Sequence, residues 1–404
     1  MSAPAAGARE DLRAALRDAG FDVVRFARAE PEPGETLARW IAAGHHADMD
    51  WMASTSAKRA DPALVLERAR TFIVLGVSYW PEDSAAARQT AWARYALHAD
   101  YHDTIKAGLV RAGKILEARF GLNGTDYRYY VDTGPVAERG WAARSGVGFL
   151  GKNGMLISRE HGNWLFLSVI LARIEIEPDA SLAEAFPGAA ERAGANGLLC
   201  GSCTRCMEAC PTAAFPEPGI VDARRCISYH TIENRGIIPP EIRAGIGTRV
   251  FGCDICLDAC PWNRFARAGR SLLLERRPEI ARLTLVELLS LTPERFREVF
   301  RGTAVKRLKL PNLLRNAAIV AGNVWALDPA SRAEASEGFA DHGDRDSGVR
   351  ALARLATHES PVVRAHAVWA LRRILGQEAD DVLAVARALE TDPVVLAEYG
   401  VGGG

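Results

Sequence analysis

Eight cysteines lie between Cys200 and Cys260, and the rest of the 404-residue chain has none. A disulfide framework in so long a chain would be scattered, and a reducing compartment would not keep it oxidised. Confinement to one short segment reads instead as metal ligation. The run Cys200-Gly-Ser-Cys203-Thr-Arg-Cys206-Met-Glu-Ala-Cys210-Pro211 fits C-x2-C-x2-C-x3-C-P without a mismatch. In that spacing three close cysteines wrap one iron–sulfur cubane and the fourth reaches a second. A second run, Cys253-Asp-Ile-Cys256-Leu-Asp-Ala-Cys260-Pro261, matches Cys203, Cys206 and Cys210. Its slot for Cys200 falls on Val250, which cannot ligate, and Cys226 is the cysteine left over. Exchange between the runs predicts one 4Fe-4S cluster on Cys200, Cys203, Cys206 and Cys260, and another on Cys226, Cys253, Cys256 and Cys210. Zinc is the competing use of C-x2-C pairs, but it favours two separated pairs over a four-cysteine run ending in Cys-Pro.

Around this segment stand the elements that must position the chemistry. Before it, helix-like and strand-like stretches alternate. Residues 103–120 place Ile105, Leu109, Ala112, Leu116 and Phe120 on one helical stripe. Residues 71–80 and 164–176 are apolar and read as strands. Residues 127–131 predict a strand running into Asp132-Thr-Gly-Pro135, and 136–144 predict a helix. Asp132 then stands at the carboxyl end of a strand, where open α/β sheets place their sites. An Asp at such a junction also serves simply as a helix cap. Gly146-Val-Gly148-Phe-Leu-Gly151 matches G-x-G-x-x-G but follows a helix-like stretch and precedes an extended one, so it reads as a Gly-rich loop and not a dinucleotide site. His45-His46 and His102 lack partners at metal-ligand spacing and are expected in loop or packing roles.

Beyond residue 280 the chain is helical and weakly repetitive. Pro311-Asn-Leu-Leu-Arg315 and Pro361-Val-Val-Arg364 each lead into an Ala-rich helix, and Asp392-Pro-Val-Val opens another copy. That pattern is HEAT-like. Arg301, Lys306, Arg307, Lys309 and Arg315 form a basic strip without an acidic residue, able to track phosphates or to be a solvated face. Residues 335–347 are acidic and Gly-containing, as a loop is. Lys plus Arg equals Asp plus Glu, 50 against 50, so no global field recruits nucleic acid and a local patch must do so. No apolar run reaches the roughly 18 residues of a membrane helix. Residues 1–13 carry neither a twin-Arg pair nor a hydrophobic stretch, so the expected location is the cytoplasm.

Taken together the chain resembles epoxyqueuosine reductase. The resemblance runs from about Gly44 to Leu375 and rests on Lys58-Arg-Ala-Asp-Pro62, Asp100-Tyr-His102, Val131-Asp-Thr-Gly-Pro135 and Gly148-Phe-Leu-Gly-Lys-Asn153. Asp222-Ala-Arg-Arg-Cys-Ile-Ser-Tyr229 with Thr231-Ile-Glu233, and Gly252-Cys-Asp-Ile-Cys256, complete it. The family implies a multidomain α/β and α+β fold. A nitroreductase-like cobalamin domain would span 1–185, a ferredoxin-like domain with two 4Fe-4S clusters 186–275, and HEAT-like tRNA-binding repeats 276–404. It also implies cobalamin as cofactor; the D-x-H-x-x-G motif of some cobalamin enzymes is absent. Electrons from an external low-potential donor would pass through the clusters to cobalt and reduce the epoxide on the wobble base of tRNA to the alkene of queuosine. By motif Asp132 is the family's proton donor, kept protonated by burial beside apolar groups. Arg59, Asp132, Leu156, Leu167 and His230 fall on cofactor-lining positions, and Lys306, Arg307 and Lys309 are the expected tRNA contacts. Family members are monomeric as a rule.

Three other readings compete. A reductive dehalogenase shares cobalamin and two clusters, but usually carries a twin-Arg signal and lacks a HEAT tail. A ferredoxin-type electron carrier has no use for a large domain with an Asp at a strand end. A binding scaffold with structural clusters would keep RNA binding after cluster loss.

Overall fold

Among the described residues six strands arise where β-branched and aromatic residues concentrate: β1 (Val23–Arg28), β2 (Thr71–Ser78), β3 (Tyr127–Tyr130), β4 (Gly148–Leu150), β5 (Leu156–Ser158) and β6 (Leu165–Ala172). They belong to a computed structural model that describes residues 6–31, 34–81, 91–193, 196–269, 275–327 and 343–400. The chain divides into two units. The first is Met1–Ala87, Asp100–Arg224 and Ile255–Leu274; the second is Arg88–Ala99, Arg225–Asp254 and Glu275–Gly404.

In the first unit four strands form a sheet in the order β1-β2-β6-β3, and every pairing is antiparallel. The rule for parallel open sheets therefore does not account for the place of Asp132. All eight residues of β2 are buried, as befits a strand with neighbours on both sides and both faces covered. Val74, Phe72, Val169 and Leu171 meet Trp141, Val136 and Leu156 in one core, with the Phe72 and Trp141 rings stacked at 4.0 Å. The helix Tyr101–Phe120 starts at Asp100, whose side chain accepts from the His102 N–H, and ends at left-handed Gly121. Of its stripe, Ile105, Leu109, Ala112 and Leu116 are buried as expected, and Phe120 at the last turn is half-buried. β4 and β5 make a hairpin, so the G-x-G-x-x-G run is no strand-to-helix turn. A Cβ on Gly148 would stand 2.3 Å from the Ile157 carbonyl oxygen, which is why glycine is needed there.

The second unit is helical. Leu310–Trp325 is buried from Asn312 onward and packs against Pro361–Leu375. Arg345–Leu355, Ala379–Leu389 and Pro393–Gly400 surround that pair. Pro311, Pro361 and Pro393 each stand in the first turn of their helix, where the missing N–H costs nothing. Arg243 and Glu398, both buried, join the helix Pro240–Ile246 to the last helix by paired hydrogen bonds of 2.9 and 2.6 Å. Residues 345–347, expected in a loop, open a helix capped by Asp344; residues 335–342 of that loop lie outside the described residues. No helix among the described residues is long and apolar enough to cross a membrane.

Candidate active site

Two chemical centres are built in the first unit. At one, Cys200, Cys203, Cys206 and Cys260 line a single pocket with Lys152, Asn153, Ile157, Pro261 and Trp262. Pro261 opens a 3-10 turn with Cys260 as its cap, so the second Cys-Pro run delivers its last sulfur to the first run's set. Phe149, Ile157 and Trp262 pack beside it. Burial, with the charges of Cys200 and Cys260 adding, pushes the Cys206 thiol up to about 11. Burial also raises Cys200, although the Lys152 N–H opposes it. Four sulfurs crowded in one half-buried pocket repel one another as thiolates unless a positive inorganic core joins them, and the pocket fits a cluster on those grounds.

Of the second set, Cys210 and Cys256 belong to the first unit and Cys226 and Cys253 to the second. The Ala214 N–H donates to Cys210 Sγ at 3.4 Å, the kind of contact that steadies a thiolate ligand.

The other centre surrounds Asp132, just past the end of β3. Its φ is +58°, a left-handed conformation that costs a non-glycine residue free energy and that Asp tolerates better than most. The next turn is closed by the Thr133 N–H on the Val131 carbonyl. A Cβ on Gly134 would lie 2.3 Å from the Tyr130 ring, so glycine lets the turn fold back. Tyr101 Oη donates to Asp132 Oδ2 at 2.7 Å, and its ring is stacked between His102 and Phe166. His102 Nε2 stands 3.4 Å from the same Oδ2, while its Nδ1 is 2.8 Å from Asp100 Oδ1. Burial disfavours charge on His102, but the hydrogen bonds to Asp100 and Asp132 prevail and push its pKa up to about 9. Across the site Glu138 is pushed up to about 7, by burial first and then by the Asp132 charge, with Arg59 and Arg139 opposing. Its Oε1 is enclosed and has no hydrogen-bond partner among the described residues.

Against the sequence reading there are three departures. The Asp132 side chain is 55% exposed and lies 3.4 Å from the His102 imidazole, where burial beside apolar groups was expected. His102 is no bystander: Asp100 at the helix cap and Asp132 at the strand end come to it only through folding, though Asp100-Tyr-His102 already signalled it. Arg315 is wholly buried and leaves the basic strip, whose Arg301, Lys306, Arg307 and Lys309 are exposed. Arg307 also pairs with Glu233. Glu138 was missed altogether; its one signal is its position six residues after Asp132.

The expected cofactor positions divide as well. Arg59 donates to the Val136 carbonyl at 2.8 Å. Leu156 is buried in the sheet core, and Leu167 lies half-buried against that core with Tyr130, Leu150 and Leu165. His230 is in the second unit, buried, with its Nδ1 3.0 Å from Asn234 Nδ2.

Comparisons with known proteins agree in kind. The family profile described as "Epoxyqueuosine reductase QueG, DUF1730" matches residues 59–133. A 4Fe-4S double cluster binding domain matches 199–263, and HEAT repeats match 323–399. The epoxyqueuosine reductase of Burkholderia pseudomallei is 37% identical over 387 residues, covering 89% of this chain and 91% of that protein. A crystal structure of epoxyqueuosine reductase with an epoxyqueuosine-modified tRNA-Tyr stem loop has a TM-score of 0.79 and 27% identity, covering 97% of both chains. A structure of the Bacillus subtilis enzyme, with its catalytic Asp loop swung out of the active site, has a TM-score of 0.77, 26% identity and the same coverage.

Proposed function

The chain belongs to the epoxyqueuosine reductase family, and we propose that it reduces epoxyqueuosine to queuosine at the wobble position of tRNA, the epoxide oxygen leaving as water. The observation that carries this is the strained Asp132 turn, held by Tyr101 and His102 in the same unit as a four-cysteine pocket. Reductive epoxide opening requires both an acid and an electron-transfer centre, because the oxygen becomes strongly basic as its C–O bond breaks. Residues 1–185 take the catalytic role, 186–275 the electron relay and 276–404 the tRNA. The clusters sit on Cys200, Cys203, Cys206 and Cys260, and on Cys226, Cys253, Cys256 and Cys210, fed by an external low-potential donor.

Cobalamin is the cofactor this reading adds. Leu165, Leu167, Leu150 and Tyr130, each half-buried against the core that holds Leu156, offer apolar surface of the kind a flat macrocycle covers. Arg59, Asp132, Leu156, Leu167 and His230 are the residues we assign to holding it. When bound it supplies electrons at a potential low enough to open the epoxide. Asp132 presents the proton to the epoxide oxygen, and Arg59 and Tyr101 fix its turn. The exposed Lys306, Arg307 and Lys309 meet the tRNA backbone, and the protein works as a cytoplasmic monomer.

The test combines anaerobic protein, cobalamin, a low-potential reductant and tRNA bearing epoxyqueuosine, with nucleosides identified by mass after digestion. Queuosine appears if the reading is right. Persistent epoxyqueuosine beside reduced clusters and reduced cobalamin removes the substrate assignment. Asp132→Asn retains the cluster and cobalamin spectra but loses about 10²–10⁴ in turnover; full activity in it removes Asp132 from the chemistry.

A further inference from the structure

We propose that His102 is the proton store of the site, handing its Nε2 proton to Asp132 Oδ2, from which the epoxide oxygen receives it. This rests on the reading of Asp132 given above. Epoxide reduction consumes two electrons and two protons: both C–O bonds break, a C=C bond forms and the oxygen leaves as water. The electrons come from the external low-potential donor. One carboxyl holds one proton, so Asp132 must be reloaded within each turnover. Moreover, the Asp132 carboxyl is more than half exposed and its Oδ2 stands 3.4 Å from His102 Nε2.

The geometry supplies the missing partner. Asp100, fixed as the cap of the Tyr101–Phe120 helix, occupies Nδ1 at 2.8 Å and so holds the ring with Nε2 toward Asp132, 3.4 Å away. That second nitrogen is enclosed and makes no geometric hydrogen bond among the described residues, so the Asp132 carboxylate at 3.4 Å is an ion-pair neighbour it can close on. Among the described residues the charges that act on His102 are those of Asp100 and Asp132, while Asp132, Arg59 and Arg139 act on Glu138. Tyr101 stacks on the imidazole and donates to the same Oδ2, so both rings bear on one carboxylate. At each hand-over the Nε2–H bond breaks and an O–H bond forms on Asp132. That bond then breaks as the substrate oxygen is protonated, and neutral His102, its Nε2 enclosed, regains its proton from water by way of the exposed Asp132 carboxyl. Two hand-overs complete the reaction. Each is downhill overall, because the alkoxide and hydroxide formed are far stronger bases than an imidazole titrating near 9. His102 acts through Asp132 and does not touch substrate.

Two measurements decide it. In protein carrying 13C-labelled histidine, the His102 resonance among the nine histidines is identified by its absence in His102→Gln. It should titrate near 9, and lower in Asp132→Asn and in Asp100→Asn. In single turnovers the wild-type rate should be level through neutrality and fall as pH passes about 9. Asp100→Asn should move that fall to lower pH. His102→Gln, with clusters and RNA affinity intact, should lose roughly a hundredfold at neutral pH. A His102 resonance titrating at its ordinary value, or an unchanged pH profile in His102→Gln while Asp132→Asn is inactive, overturns the store alone. Full activity in Asp132→Asn overturns the reading of Asp132 on which it rests.

Discussion

Replacing Arg315 by Met should destabilise the second unit by about 3 kcal/mol, although the sequence places this residue in a basic strip. The guanidinium is wholly buried and donates to the carbonyls of Asn234 at 2.8 Å, Gly236 at 2.9 Å and His230 at 2.7 Å. It also holds Asn316 Oδ1, whose amide in turn donates to the Thr231 and Val250 carbonyls. Met fills the volume and leaves three buried acceptors, the His230 and Asn234 carbonyls and Asn316 Oδ1, without this donor. At about 1–3 kcal/mol for each, the ceiling is roughly 3–9 kcal/mol. Two effects lower it. Water and small backbone shifts recover part of the loss, and removing a desolvated cation is itself favourable, since burial already pulls the Arg315 pKa down to about 9. The lower end of the range is therefore expected. Urea unfolding followed by circular dichroism and tryptophan fluorescence gives the midpoint and slope, with Lys309→Met as the exposed comparison, expected within about 0.5 kcal/mol of wild type. Hydrogen exchange should quicken across residues 230–236. An Arg315→Met protein within about 1 kcal/mol of wild type would refute the clamp, and Arg315 would return to the RNA-facing strip.

Charge reversal of Lys306, Arg307 and Lys309 to Glu should weaken tRNA binding and lower the slope of log affinity against log salt by about 0.7–0.9 for each phosphate no longer neutralised; filter binding at several salt concentrations checks this, and an unaltered slope removes the strip from the interface. Stability should also depend on pH through His102. Its folded pKa of about 9 lies above the ordinary 6.5, so its contribution is fully present below 6.5 and is lost as pH rises through about 9. The contribution is at most about 3 kcal/mol. Urea midpoints at pH 6 and pH 10 should differ more in wild type than in His102→Gln, and equal differences would show that the Asp100–His102–Asp132 contacts carry no such energy.

Cysteine spacing determined the cluster chemistry without any fold, because a cubane wrapped by a short loop needs ligands a fixed few residues apart. The stripe of the Tyr101–Phe120 helix, the strands around residues 71–80 and 164–176 and the Pro-led helices were legible for a similar reason: periodicity and turn residues are local properties. Tertiary structure decided the rest. The sheet is antiparallel because β2 pairs with β1 and β6, which lie far from it in sequence, and no local pattern encodes that choice. Arg315 and Lys309 carry the same formal charge, yet one is a buried clamp and the other an exposed cation, since only packing fixes which helix face turns inward. Likewise Asp132 was identifiable by motif, but not its state. Its exposure, the tyrosine on its oxygen and the histidine beside it depend on a strand end meeting the start of a helix far back in the chain, and proton affinity is set by what surrounds a group in space.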